Sequence, residues 1–567
     1  MQLLNLFFLM ISYLIIACSL FLWGKNYNSK NTNLHTEKGV LRSFTEQEWI
    51  LFASLLLFSL LVRIWQFGDI PGGINQDGAM AAVDAKALAD YGTDRFGMHM
   101  PVHFTAWDFG QMSVLLSYCM IPFIKLFGLS TVTIRLPILI ASMAGLVAIY
   151  FIVRFLVGVE AAQITLLLAS LNPWHYMQSR WAIDCNMFPH MFVLGMLFLL
   201  LGILKYRRCI GISMFFFALC MYSYGISFYT VPIFLLIMGI YLLCKKVLPL
   251  KNVLLYAGIY LLFSWPIYLT MAINAFSWKT IETPFFTMPY FPNSIRSNDI
   301  LFFSDHKITQ LLQNISSTIC IFTEGDHILW NSLDDFGAIN LCFVPFIFLG
   351  LYYIIHLFRQ EKNDAKKAGY LTLLCFFGIG IIAGLITANV NINRINILLY
   401  GFILFTGIGI YFVYLNRKRL AYLMLPIWLI LSVLFWDRYY TTYATEIRSI
   451  FLEDFVQAIE YADSSQCTSF VITPDAQGPN RPYVSEILTL YTLDIDAKYF
   501  QGKTVDENGL LYSDKFAYIS ASQTTISPDA PIAYVITSTE TYLFSPQDYS
   551  VTQFDNFYTA IPINCMP

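Results

Sequence analysis

Apolar runs long enough to cross a lipid bilayer recur from the N-terminus to about residue 437, and this pattern restricts the chain to few folds. A hydrocarbon layer about 30 Å thick is crossed by roughly 17–25 helical residues. Within it every backbone N–H and C=O must find a partner in the protein, which a helix provides for itself. Only 13% of the 567 residues are charged and 57% are hydrophobic, whereas a soluble chain carries about 25% charged residues. The chain therefore reads as a polytopic α-helical membrane protein. A net charge of -3 with no basic patch argues against a nucleic-acid partner. The first run, MQLLNLFFLMISYLIIACSLFLW, lacks the basic start and small-residue cleavage site of a secretory signal, so it reads as a retained span.

Charge sets the expected orientation, because cytoplasmic loops gather Lys and Arg. Lys205 to Arg208, Lys245 with Lys246, Arg359 to Lys367, and Arg417 to Arg419 each separate two apolar runs. Placing these inside, with Lys25 to Arg42, puts loops of about 68–111 and 273–336 outside, with the short turn near 389–396. Four apolar candidates, near 112–128, 133–156, 160–173 and 186–204, lie where an odd number of crossings is required, so one of them is expected not to span. The expected total is roughly 11 to 13 spans.

The last 120 residues or so change character. EDFVQAIEYADSS and YVSEILTLYTLD have helical patterning, and TSFVITP and PIAYVIT read as strands. The division is an extra span and loop over 1–48, a transmembrane core over 49–437, and a small outward-facing α/β domain over 438–567. Most of the eleven cysteines lie in apolar runs, but Cys467 and Cys565 fall in this domain, where a disulfide is chemically permitted and two free thiols are the alternative.

Candidate chemistry gathers at the expected outer face. In GGINQDGAMAAVDAKALADYG, Asp77 sits near the N-cap of an expected surface helix, about 79–91, where helix N–H groups favour a carboxylate. It is a candidate general base, capping being the alternative. Asp84, Asp90 and Asp94 read as the wet face of that helix. Asp108, in TAWDFGQM, stands among aromatics at the lip of the next span, where acids are seldom placed without a partner. In NPWHYMQSRWAIDCN, His175, Arg180 and Asp184 interrupt an apolar region, and Arg180 and Asp184 are four apart, as in a helical ion pair. Arg180 is also a candidate for holding an anionic headgroup. Arg394, in NVNINRINILLYG, reads either as a snorkelling arginine or as a fork for a lipid-linked phosphate. Asp305, His306, Glu324, Asp326 and His327 match no metal-ligand spacing and read as solvated loop residues, so no metal site is assigned.

The order of these stretches resembles the membrane glycosyltransferases of the GT-C fold, within the protein O-mannosyltransferase and aminoarabinose-transferase superfamily, in its bacterial branch. The resemblance runs over roughly 68–437. It rests on the Asp77 motif, on the segment ending in RLP (Arg135 to Pro137), and on NPWHYMQSRWAID. TEGDHILWNSLDDFGAINLCFVPFIFLGL and NINRINILLYGFILFTGIGIY extend it. Many relatives carry two adjacent acids in the first motif; this chain has Gln76 and Asp77, so a second carboxylate would have to be Asp108.

The resemblance implies inverting transfer of a hexosyl or pentosyl group from a polyprenyl-phosphate donor to a glycan, lipid or protein acceptor. The implied place is the outer face of a bacterial cytoplasmic membrane. Asp77 would act as base, Arg394 and Arg180 would hold the donor phosphate, and His175, Asp184 and Arg135 would support them. No cofactor is demanded, and a divalent metal stays open. Two other classes compete. A transporter or flippase of lipid-linked intermediates would call for inverted repeats and midplane charges, which the sequence lacks. A noncatalytic surface protein anchored by its spans would leave Asp77, Arg180 and Arg394 without a shared purpose.

Overall fold

The computed structural model describes residues 1–27, 44–107, 110–292, 307–387, 389–503, 510–512 and 514–566. Asp108, Asp305 and His306 lie outside these residues, as does most of the Lys25 to Arg42 segment. Among the described residues, 10 helices are long and apolar enough to cross a membrane: Gln2–Gly24, Glu46–Ile64, Thr131–Leu156, Asp184–Leu204, Ser227–Cys244, Leu250–Ala275, Leu341–Gln360, Asp364–Ile386, Asn396–Asn416 and Lys418–Ile450. Leu115–Phe127, Val159–Ser170 and Cys209–Met221 are apolar but shorter. The expected 11 to 13 spans are thus reached only by adding these short helices to the ten. Two of the four candidates in the ambiguous region, Leu115–Phe127 and Val159–Ser170, are the short ones, while Thr131–Leu156 and Asp184–Leu204 have full length.

The Asn396–Asn416 helix is the centre of the bundle, with 89% of its most apolar window buried, whereas the equivalent figure for Gln2–Gly24 is 22%. Small residues set the central packing. A Cβ at Gly350 would meet the Phe405 carbonyl oxygen and one at Gly409 would meet that of Phe346, so these two backbones approach as only glycine allows. Several buried charged and polar side chains inside the bundle are paired. Arg154 bonds the Glu48 carboxylate, and Arg63 Nη2, His175, Tyr400 and His190 form a chain with steps of 2.9, 2.9 and 2.8 Å.

Beyond the last long helix, the C-terminal domain holds a five-stranded sheet in the order Phe516–Ala517, Ser469–Ile472, Ile532–Thr537, Phe557–Pro562, Tyr549–Phe554. The first two pairings are parallel and the last two antiparallel. The anticipated helices are present as Glu453–Asp463 and Pro482–Thr492. The Cys467 and Cys565 thiols face each other as free cysteines, held by the Gln466 N–H, which donates to the Cys565 carbonyl at 2.9 Å.

This domain sits on the Gln76–Tyr91 helix, which corrects the expectation of a surface helix with a wet acidic face. Pro482–Thr492 packs against it, and 11 of its 16 residues are buried. Asp84 is fully buried and ion-paired to Arg95. Burial pushes its carboxyl up to about 6, with Arg95 pulling the other way. Asp94 is also fully buried and accepts from the Phe96 and Met98 N–H groups at 2.9 Å each. Burial and the nearby Asp84 push it up to about 7. Asp90 remains partly exposed, in a pair with Lys86.

Candidate active site

The site begins with a loop whose backbone is gripped by two buried arginines. The Glu46–Ile64 helix ends at Trp65, and residues 65–75 lead to the helix carrying Asp77. Arg135 donates from Nη1 to the carbonyls of Phe67 and Gly68 and from Nη2 to those of Pro71 and Gly73, at 2.8–3.3 Å. Arg180 donates to the carbonyls of Arg63, Trp65, Gln66 and Ile70, and from Nε to the Tyr439 hydroxyl at 3.1 Å. A guanidinium has five N–H donors in a fixed fork, so both are suited to collecting carbonyls that no helix satisfies.

Arg180 is therefore corrected from a phosphate ligand to a loop pin. It is fully buried, and each of its three side-chain nitrogens donates to the loop backbone or to Tyr439. Nor does it pair with Asp184. The short helix Pro173–Gln178 ends before Arg180, so the four-residue spacing does not put the two on one helical face. Asp184 instead accepts from the N–H groups of Ser113 and Cys185, at 3.3 and 2.7 Å. His175, buried in the same short helix, joins Arg63 to Tyr400 and belongs to the polar chain of the bundle.

Asp77 is half-buried in the first turn of its helix. Asn75, not Asp77, is the N-cap, and its side chain accepts from the Asp77 N–H at 3.0 Å. This leaves the Asp77 carboxylate outside the capping role, and the Trp107 indole nitrogen donates to its Oδ1 at 2.9 Å. The Trp107 ring also lies 5.5 Å from that of Tyr483 in the Pro482–Thr492 helix, so the C-terminal domain reaches the neighbourhood of Asp77.

The segment 182–185 touches both the helix turn that carries Asp77 and the start of the helix that follows Arg394. A Cβ on Gly78 would meet the Ala182 carbonyl oxygen at 2.9 Å, so the Asp77 turn rests directly on that segment. At its other end the Asn396 side chain donates to the Cys185 carbonyl at 2.8 Å. Three peptide units separate Ala182 from Cys185, at most about 11 Å of chain. Arg394 is half-buried in the turn before Asn396, and its charge acts on Tyr229, whose hydroxyl bonds Thr387 at 2.9 Å.

The Arg394 turn is itself fastened by Asp326. Asp326 Oδ2 accepts from the Ile392 N–H at 3.0 Å and from Asn331 Nδ2 at 2.8 Å, while Ser332 Oγ and the Ile328 N–H bond its Oδ1. Burial raises its carboxyl against these four bonds, which lower it. Asp326 is thus a structural anchor where a solvated residue was expected; Glu324 and His327 are exposed, as expected. Arg63 was not singled out from sequence, although an arginine inside LLVRIW is a signal of a buried partner.

Residues 112–269 match the family model described as dolichyl-phosphate-mannose-protein mannosyltransferase. No curated protein matches the chain by sequence. Among solved structures, ArnT from Cupriavidus metallidurans bound to undecaprenyl phosphate superposes with a TM-score of 0.55 at 12% identity, over 91% of this chain and 98% of that one. ArnT from the same organism in the apo state gives 0.52 at 12% identity, over 90% and 97%. At such low identity the likeness establishes architecture, and it agrees with the family match in the first half of the bundle. The chain thus has the GT-C fold.

Proposed function

We propose that this protein transfers a hexosyl or pentosyl group from a polyprenyl-phosphate donor to an acceptor hydroxyl or amine at the outer face of a bacterial cytoplasmic membrane. The observation that carries this reading is that Gly78, next to Asp77, and Asn396, two residues after Arg394, both touch the short segment 182–185, in a bundle with the fold of ArnT. The ArnT structure's bound undecaprenyl phosphate is consistent with a polyprenyl-phosphate donor.

In the proposed step, Asp77 takes the proton as the acceptor heteroatom bonds to the anomeric carbon. The bond from that carbon to the phosphate oxygen breaks on the opposite face, inverting the configuration, and polyprenyl phosphate leaves. Arg394 stabilises the departing charge as a guanidinium fork suited to phosphate. Trp107 orients the base, and Arg135 and Arg180 hold the loop from which its helix starts. Asp108 is a second candidate carboxylate. The acceptor would enter past the C-terminal domain, which meets the site at Tyr483.

Charge supports the outward orientation. The Asp184–Leu204 and Asn396–Asn416 helices both begin at the site and end next to Lys205 to Arg208 and Arg417 to Arg419. Basic clusters mark the cytoplasmic side, so the site belongs to the opposite one. Purified protein incubated with a panel of polyprenyl-phosphate sugars should bind a donor and release polyprenyl phosphate, and Arg394→Gln should weaken donor binding at least tenfold. Folded protein that binds none of the panel would overturn the reading.

A further inference from the structure

Away from Asp77, the turn that fastens Arg394 carries a second group of chemistry-bearing side chains. Cys320 lies in the last turn of the Lys307–Thr323 helix, and Glu324 follows that helix, its N–H still bonded to the Cys320 carbonyl at 2.8 Å. The chain reverses through Gly325 and His327, both at positive φ (94° and 55°), which brings the imidazole back over the helix end. His327 Nε2 lies 3.6 Å from Cys320 Sγ and 3.8 Å from Glu324 Oε2. The three donor atoms all fall within 4.8 Å of one another. Asp334 Oδ1 stands 3.3 Å from the other ring nitrogen, Nδ1.

We propose that Cys320, Glu324 and His327 bind a zinc ion, with Asp334 fixing the histidine and one coordination position left to water. Zinc bonds of about 2.3 Å to sulfur and 2.0–2.2 Å to nitrogen and oxygen make tetrahedral edges of about 3.3–3.6 Å. The two separations made by Nε2 are already near that range, and the sulfur and carboxylate need only small side-chain rotations. A thiolate, an imidazole and a carboxylate together suit zinc better than calcium or magnesium, which prefer oxygen. A carboxylate on the second nitrogen is the arrangement that orients a metal-bound histidine and selects its tautomer.

The ion would tie the helix end to the turn at His327, next to Asp326, whose carboxylate holds Ile392 and so the Arg394 turn. Its binding stands independently of the transferase reading; only its effect on donor binding rests on it.

The test is metal content and affinity of the full chain in detergent, stripped with chelator and titrated with zinc or cobalt. One ion per chain is expected, and cobalt should give a thiolate charge-transfer band in the near ultraviolet. Cys320→Ser should abolish the band and, like His327→Ala, weaken zinc at least tenfold. Asp334→Asn should weaken it by about 10–100-fold, while Cys467→Ser should leave it unchanged. Absence of zinc binding by the wild type, or zinc and band retained in both Cys320→Ser and His327→Ala, would overturn the site. So would loss in Cys467→Ser with retention in Cys320→Ser. Sound zinc binding by a protein that binds no lipid-linked donor would uphold the metal site while removing the transferase reading.

Discussion

Trp107 donates its indole N–H to Asp77 at 2.9 Å while its ring lies against Tyr483, so one side chain ties the candidate base to the C-terminal domain. Trp107→Phe keeps an aromatic body and removes the donor. A hydrogen bond to a charged group contributes about 1.5–3 kcal/mol, so turnover should fall by roughly 10–100-fold, with the melting temperature little changed. Steady-state rates with saturating donor check this, and an unchanged rate would show that Trp107 does not orient the base.

Arg135 satisfies four carbonyls of the loop before Asp77. Lysine offers a point charge on a flexible stem in place of a planar fork. Arg135→Lys should leave buried carbonyls unsatisfied, at about 1–3 kcal/mol each, and loosen the loop without dismantling the bundle. Limited proteolysis should show faster cleavage within residues 65–75, together with loss of activity.

Asp94 holds its proton more tightly folded than unfolded, because burial and Asp84 push its carboxyl from 3.8 to about 7. The folded state therefore binds more protons in that interval, and stability contributed by this group is present at low pH and lost as pH rises through about 7. Asp94→Asn retains an oxygen to accept from the Phe96 and Met98 N–H groups. Thermal unfolding should find the variant close to wild type near pH 5 and more stable near pH 8.

Cys467 and Cys565 face each other. In an oxidising compartment they should pair, closing a loop of about 100 residues worth about 4–5 kcal/mol in the chain-entropy account. Mass analysis of protein from the native membrane under non-reducing conditions should show the bond, and Cys565→Ser should lower the melting temperature of that preparation while leaving reduced protein unaffected.

What was legible in the sequence was what depends on local chemistry. Hydropathy along the chain revealed the spans, and alternating patterns revealed Glu453–Asp463 and Ile532–Thr537, because each segment carries its own signal. Asp84 was misread because the residues that cover its helix lie some four hundred positions away, in Pro482–Thr492, and Asp94 because it lies past the end of that helix, in a turn whose Phe96 and Met98 N–H groups it accepts from. Arg180 was misread because the four-residue spacing assumed a helix that stops at Gln178. The Cys320 cluster was missed because its thiol sits in an apolar helix stretch and meets His327 only through a reversal at Gly325.

The central claim is that Asp77 takes the acceptor's proton. Single-turnover sugar transfer from a polyprenyl-phosphate donor, by wild type and by Asp77→Asn in the same detergent, tests it most directly. The account predicts equal donor binding and a loss in rate of about 10²–10⁴ in the variant, the usual contribution of a positioned base. Equal rates in both proteins would contradict it.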